Sequence, residues 1–345
     1  MQDFLNSTNF TQIFIALILI KFLLETYLKI RNLKSIDNNK DSVPPRFKNV
    51  VTEEEYKKSI LYNTDRIKFQ IFTALFGSVV LIIFTIGGLL NYLTQVVMDM
   101  TSSNVLGAVL LGLLLIIVEE IISIPISIYS TFVIEERHGF NKTTRKTFVT
   151  DIFKGLLISG AISSILYATV IFIIISAGDL WWIYAFAAVF TLQAIIFFLY
   201  PVLIMPLFNK FEPLDDEQFK KPIEKLLEKV DFKSKGLFVM NASLRSTHGN
   251  AFFTGFGKNK RIVFFDTLLK TINPDEMEAI LGHELGHYKL GHIRKTLISS
   301  LVFGFLGFYI LNEIFKSDNF FIAHGLENLT VYSKFLKFYL VIGYY

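Results

Sequence analysis

The residues best suited to chemistry are two histidines and a glutamate in the short segment H-E-L-G-H, positions 283–287. On an α-helix, residues four positions apart lie one turn apart on the same face, so His283 and His287 can point at one metal ion. Zinc binds imidazole nitrogens and lowers the pKa of a bound water to about 7. Glu284 is then placed to take a proton from that water as it attacks a carbonyl carbon. This pattern is typical of zinc metalloproteases.

The helix that must carry these side chains has clear start signals. Asn273 is a favourable N-cap, Pro274 suits the first helical position, and acidic residues follow in the first turn. Apolar residues then recur at helical spacing, at Met277, Ile280 and Leu281. A pattern with three fixed positions also arises by chance, in which case both histidines are plain polar surface. The surroundings of the segment therefore decide between a metal site and a surface.

Composition places the chain among membrane proteins. Of its 345 residues, 52% are hydrophobic and 36 are phenylalanine, and the mean hydropathy is +0.48. The chain has no cysteine, which excludes disulfides and cysteine-ligated metals. A net charge of +4 without a dense basic tract argues against a nucleic-acid partner.

Apolar runs long enough to cross a bilayer recur along the chain. They predict spans at about 9–27, 70–97, 104–132, 155–177, 180–207 and 297–315, with a seventh that begins near 329 and runs to the end of the sequence. So many runs argue against buried helices of a soluble core. The first run is not a cleavable signal peptide, because Lys21 and Glu25 lie within it and no small-residue cleavage site follows.

The connecting segments predict an orientation. Lysine and arginine are concentrated in 28–68, 133–154 and 208–296, whereas the alternate segments 98–103 and 178–179 carry none. By the positive-inside rule, the basic segments face the cytosol. This arrangement puts the N-terminus outside and the H-E-L-G-H segment on the cytosolic side.

The segment 208–296 reads as a small soluble α+β domain. Residues 215–230 have the spacing of an amphipathic helix, and 236–241 form a short strand. Two β-rich stretches, 250–254 and 261–265, are separated by a glycine-containing turn and predict a hairpin. A small sheet next to a helix with H-E-x-x-H is the layout of the zincin proteases, in which an edge strand holds substrate by strand addition.

We therefore predict a multi-spanning α-helical membrane protein with seven spans, the last one truncated, and a small zincin-like α+β catalytic domain in the cytosol. Its predicted parts are an N-terminal membrane region, 1–207, with five spans and the cytosolic loop 28–68; the catalytic domain, 208–296; and a C-terminal membrane region, 297–345.

Several motifs in order resemble the M48 family of integral membrane metalloproteases, specifically its CAAX prenyl protease 1 (Ste24-like) branch. They are V-P-P at 43–45, E-Y-K-K-S-I-L-Y at 55–62, F-V-I-E-E-R-H-G-F-N at 132–141, P-L-F-N-K-F at 206–211, H-G-N-A-F-F at 248–253, K-N-K-R-I-V-F-F-D-T-L-L at 258–269 and L-G-H-E-L-G-H at 281–287. The chain lacks the insertion that some eukaryotic members carry before the zinc helix. In this respect it is similar to compact, bacterial-type members.

The resemblance implies a zinc-dependent membrane endopeptidase that acts near the C-terminus of prenylated CAAX proteins. It implies that His283 and His287 are zinc ligands and that Glu284 is the general base. The strand formed by Asn250, Ala251, Phe252 and Phe253 is the implied substrate-aligning edge. Expected partners are prenylated or membrane-associated substrates and the lipid bilayer, in the endoplasmic reticulum membrane or a bacterial inner membrane.

A third zinc ligand is missing from the pattern. In the family it is a glutamate in an E-x-x-A-D-type motif on a later helix, and no such motif occurs before Tyr345. Glu313 falls about 25 Å along its helix from the cytosolic end, and Glu327 lies beyond it, so neither suits the role. We expect the third ligand beyond Tyr345, and we expect the 345-residue chain to bind zinc weakly and to cleave little.

Three other functions stay open on the sequence alone. A bacterial member without prenylated substrates would serve membrane-protein quality control. A transporter or channel fits the many spans and the intramembrane Glu119 and Glu120, but inverted repeats are not evident. A catalytically inactive scaffold would keep the fold without the third ligand.

Overall fold

The structure is a computed structural model, and it describes residues 7–230, 232, 234–254 and 260–324. The chain divides into two compact units. The first unit comprises Met1–His138, Ser159–Trp182 and Tyr309–Tyr345, and the second comprises Gly139–Ile158 and Ile183–Phe308.

The described chain is mainly helical, with one small sheet. The helices are α1 Ser7–Asn38, α2 Glu53–Phe84, α3 Leu89–Met100, α4 Asn104–Tyr129, α5 Arg145–Ser176, α6 Trp181–Leu199, α7 Met205–Phe208, α8 Glu217–Lys229, α9 Asp266–Leu269, α10 Pro274–Lys289, α11 His292–Phe315 and α12 Asp318–Ala323. The strands are β1 Phe211–Pro213, β2 Leu237–Met240, β3 Ala251–Thr254 and β4 Arg261–Phe265. Short 3₁₀ turns lie at Pro45–Phe47, Gly178–Leu180 and Ala242–Leu244, and π-helical turns lie at Ser130–Glu135 and Tyr200–Ile204.

Five helical segments are long and apolar enough to cross a membrane, which confirms a multi-spanning helical protein. They are Glu53–Phe84, Asn104–Glu135, Arg145–Ser176, Gly178–Phe208 and His292–Phe315. The predicted span 9–27 lies within α1, which is not among these five. The predicted seventh span lies outside the described residues, so the total of seven stays a prediction.

The predicted span 70–97 has the wrong bounds. α2 ends at Phe84, and α3 is a separate helix. Gly88 adopts a left-handed backbone (φ 77°), which glycine favours, and a Cβ on Gly87 would lie 2.6 Å from the carbonyl oxygen of Ile83. The apolar run continues through this turn, so hydropathy alone gives no sign that the helix ends there.

The core of the first unit is built from the apolar faces of α2, α3, α4, α5 and α12. Its fully buried side chains are Phe84, Leu90, Leu111, Leu115, Ile171 and Phe321. Gly112 of α4 allows the ring of Tyr167 of α5 to pack closely, because a Cβ at position 112 would lie 2.1 Å from that ring.

The second unit contains the four-stranded sheet, in the order β1-β2-β4-β3. β3 and β4 pair antiparallel, which confirms the predicted hairpin, whereas β2 and β4 run parallel. β1 was not predicted, because it is three residues long and ends in a proline. Ile262 and Phe264 of β4 are fully buried against α8 and α10, and this core holds the H-E-L-G-H helix against the sheet.

Candidate functional site

The helix that carries the H-E-L-G-H segment begins as predicted. The Oδ1 atom of Asn273 accepts a hydrogen bond from the Glu276 backbone N–H (3.0 Å), and the Asn273 N–H donates to the Glu276 carboxylate (2.9 Å). This capping box satisfies two backbone donors at the helix start. Further along α10, Leu281 and Leu285 are buried one turn apart, so this face of the helix is fixed against the core.

The two histidines of the segment are brought together on the outer side of α10. Their Nε2 atoms lie 3.1 Å apart, and both side chains are exposed. Two nitrogens bound at about 2.0–2.1 Å to a tetrahedral zinc are about 3.3 Å apart. The spacing of His283 and His287 therefore suits two ligands of one zinc ion. Glu284, between them in sequence, is half-buried.

A third histidine, His292, joins this pair, although helical spacing from His287 places it off the face of the other two. The Nδ1 atom of His292 lies 2.7 Å from Nδ1 of His287. α10 ends at Lys289, and Gly291 then adopts a left-handed backbone (φ 66°) that turns the chain. Helical spacing gave the wrong position because the helix stops before His292; the glycine after the last helical turn was the available signal.

The distance between His287 and His292 requires one proton between two ring nitrogens. If Nε2 of His287 faces a metal, its Nδ1 carries the proton and donates it to Nδ1 of His292. Metal-binding histidines usually donate their second N–H to a hydrogen-bond acceptor, which fixes the tautomer and the ring orientation.

Among the described residues, His283 and His287 are the pair whose spacing suits one metal ion. Across the part of the chain that the structure describes, no group of three or more histidine, aspartate or glutamate side chains is arranged to hold a metal. Glu313, considered above as a substitute, forms an ion pair with Lys316 at 2.6 Å. Glu327 lies outside the described residues.

The predicted substrate strand lies at the edge of the sheet and packs against α10. On its inner side, Ala251 is opposite Phe264 and Phe253 is opposite Ile262. Asn250, immediately before the strand, accepts a hydrogen bond from the Phe265 N–H through its carbonyl oxygen (2.9 Å). β3 is the last strand of the described sheet, so its outer backbone edge is available for pairing.

The segment that leads into β3 is anchored by side chains of the second unit. Arg245 forms a two-pronged ion pair with Asp151 of α5, with nitrogen–oxygen distances of 2.7 and 2.9 Å. The ring of His248 stacks on Phe140 with centroids 4.4 Å apart, and its carbonyl oxygen accepts from the Thr267 hydroxyl (2.8 Å). These contacts give His248 a structural role in holding this segment.

A cavity of about 870 Å³ lies beside β3, and sequence reasoning did not predict it. Its walls include Phe197 from α6 and Phe252 and Phe253 from β3. Lys260 also lines it; its Nζ donates to the hydroxyl oxygen of Tyr288 (2.6 Å) and lies 4.1 Å from the centroid of that ring. The cavity therefore adjoins both the edge strand and the end of α10.

Two family descriptions match adjoining parts of the chain. Residues 32–210 match the family described as CAAX prenyl protease N-terminal, five membrane helices, and residues 213–343 match peptidase family M48.

Proteins similar to this chain carry related names. The CAAX prenyl protease 1 homolog of Arabidopsis thaliana is 35% identical over 335 residues, which cover 93% of this chain and 77% of that protein. CAAX prenyl protease 1 of Saccharomyces cerevisiae is 35% identical, over 88% of this chain and 69% of the yeast protein. The crystal structure of S. mikatae Ste24p superposes with a TM-score of 0.87 at 29% identity and covers 97% of this chain and 82% of that one.

Proposed function

The chain belongs to peptidase family M48, and we propose that it is a zinc-dependent membrane endopeptidase that cleaves peptide bonds near the C-terminus of prenylated CAAX proteins. The observation that carries this proposal is the pair of Nε2 atoms 3.1 Å apart on a helix that packs against an edge strand. The histidine pair can hold a metal ion, and the edge strand that packs against the same helix can hold an extended peptide.

The metal part of the proposal rests on His283 and His287 as ligands, with His292 holding the ring of His287. Zinc, when bound, polarises the substrate carbonyl and lowers the pKa of water to about 7. Weak zinc binding by these 345 residues remains a prediction.

In the proposed reaction Glu284 moves the proton. Its carboxylate takes a proton from the attacking water as the water oxygen bonds to the carbonyl carbon, and it then delivers that proton to the amine that leaves. The half-buried position of Glu284 beside the ligand pair suits this role.

The backbone of residues 250–253 would align the substrate. An extended peptide that adds to the edge of β3 forms main-chain hydrogen bonds, which hold it whatever its side chains are. Because β3 packs on α10, a peptide bound there runs close to the helix of Glu284.

The proposal also includes three features of the architecture in addition to the five candidate spans. These are seven spans in all, a zincin-like catalytic domain at 208–296 and a cytosolic position for that domain. The basic segments 28–68 and 133–154 support the orientation.

The test is cleavage of a farnesylated CAAX peptide by membranes that contain the full-length gene product. Glu284→Gln should lower the rate by about 10²–10⁴-fold, because it removes the proton acceptor and keeps the shape. Glu278→Gln is the matched control, since Glu278 is exposed on the same helix. A chelator should abolish cleavage in the parent. Undiminished cleavage by Glu284→Gln would show that the proposed general base is wrong.

A further inference from the structure

We propose that the cavity beside β3 binds the isoprenoid chain of the substrate's prenylated cysteine. The inference rests on the proposed function and assigns one of its subsites. It is carried by the position, size and lining of the cavity.

The cavity lies next to β3, the strand that is proposed to align the substrate. Phe252, Phe253 and Thr254 belong to β3 and also line the cavity. Side chains of an extended peptide alternate between the two faces of a sheet, so a peptide paired with β3 directs alternate side chains to the cavity side. A long hydrocarbon group on one of those side chains can enter the cavity while the backbone stays on the edge strand.

The size and chemistry of the cavity suit a hydrocarbon chain. Its volume of about 870 Å³ is within the range of about 300–1,000 Å³ that encloses most of a drug-sized ligand. Its lining includes Ile196 and Phe197 of α6, Ile293 and Leu297 of α11, and Pro201 in the π-helical turn after α6. Burying an isoprenoid chain against these side chains is favourable in proportion to the apolar area that leaves water.

Two cations also line the cavity, and they raise the alternative of an anionic lipid headgroup. Lys260 is already engaged, since its Nζ donates to the hydroxyl of Tyr288 and lies 4.2 Å from the ring centroid of Phe232. Arg294 lies at the start of α11. Aromatic and aliphatic side chains form most of the lining, so the apolar occupant is favoured.

The experiment reduces the volume of the cavity by enlarging side chains that line it. Ile196→Trp and Leu297→Trp each place an indole in the space that the isoprenoid chain would take. The controls Ile195→Trp and Leu301→Trp add the same bulk at exposed positions of the same helices that do not line the cavity. Cleavage of farnesylated, geranylgeranylated and unprenylated forms of one peptide is measured for each variant, together with its melting temperature.

We expect each filling variant to lower kcat/KM for prenylated peptides by at least about tenfold relative to the unprenylated peptide, because apolar pockets discriminate by such factors per methylene group. The loss should be larger for the geranylgeranylated peptide, whose chain is longer. The controls should keep the parental ratio. An unchanged ratio in folded filling variants would overturn the proposal. So would a ratio that responds to Arg294→Gln and not to filling, which is the result expected for a headgroup site.

A second measurement separates this inference from the proposed function. A peptide with a photoreactive diazirine in its isoprenoid chain is bound to the Glu284→Gln protein, and the crosslinked residues are identified by mass spectrometry. Labels on the walls of the cavity support the inference, whether or not the parent protein cleaves the peptide. If the cavity is labelled and the parent does not cleave, the proposed function is wrong and the cavity assignment stands. Labels confined to other surfaces overturn the cavity assignment whether or not the parent cleaves.

Discussion

Histidines of the two units differ in their surroundings, and the difference shows which of them could bind a metal ion. In the second unit His283 and His287 are exposed, and each has a ring nitrogen close to another histidine. In the first unit His324 is 2% exposed and packs against the rings of Phe14 and Phe320. Its Nδ1 lies 2.6 Å from the Phe320 carbonyl oxygen, and its Nε2 is buried without a hydrogen-bond partner among the described residues.

Each arrangement favours a different chemistry. An exposed imidazole with a hydrogen-bonded second nitrogen can present a lone pair to a metal in a fixed orientation. A buried imidazole without a partner for Nε2 is costly to protonate, because charge is poorly solvated there. Only the first arrangement leaves a ring nitrogen within reach of a metal ion.

Among the effects that test this comparison, the largest is expected at His292. His292→Ala should weaken zinc binding by about 10–100-fold, because His287 loses the group that fixes its tautomer and ring. Zinc affinity of the purified full-length protein, measured by competition with a chromophoric chelator, tests this apart from activity. His292→Gln should recover part of the affinity, since the amide oxygen can accept the same proton.

Lys295→Ala serves as a control, because Lys295 is exposed on the same helix. Equal zinc affinity in His292→Ala and in Lys295→Ala would show that the contact between the histidines does not support the metal site.

A smaller effect is expected at the start of α10, the helix that carries His283 and His287. Asn273→Ala removes the side-chain acceptor of the capping box and should destabilise α10 by about 1 kcal/mol. Thermal unfolding in detergent measures it, with Asn273→Asp as the variant that keeps an acceptor. If both variants melt alike and below the parent, a cause other than the lost cap is responsible.

The smallest expected effect is a pH dependence of stability that arises from His324. Burial lowers the pKa of His324 below its ordinary value of about 6.5. As pH falls below 6.5, the unfolded chain binds a proton that the folded chain does not, so the free energy of unfolding decreases; above 6.5 this contribution is constant.

Melting temperatures at about pH 7.5 and about pH 5 test the sign of this effect. His324→Leu should lose less stability over that interval than the parent, because it has no imidazole to protonate. A larger loss in the variant would contradict the role of the buried ring.

Several features were predictable from the sequence because local patterns determine them. The capping residues gave the start of α10, and two β-rich stretches around a glycine-containing turn gave the β3–β4 hairpin. The pairing of β2 with β4 is parallel and non-consecutive, and it depends on tertiary packing that no short window reveals. The break at Gly88 was hidden by an apolar run that continued through the turn.

For the candidate site, helical spacing identified His283 and His287 from the sequence, because both lie on α10. It failed for His292, whose contact depends on the turn at Gly291. The cavity beside β3 could not be predicted, because its walls come from α6, β3 and α11, far apart in sequence.

The ion pair between Arg245 and Asp151 has a consequence for the order in which the protein is made. The two residues are 94 positions apart. At about 5–20 residues per second, a ribosome needs about 5–20 s to add the later partner after the earlier one. During that interval the start of α5 lacks its arginine partner, so the ion pair that anchors the segment leading to β3 can form only well after this part of α5 has been made.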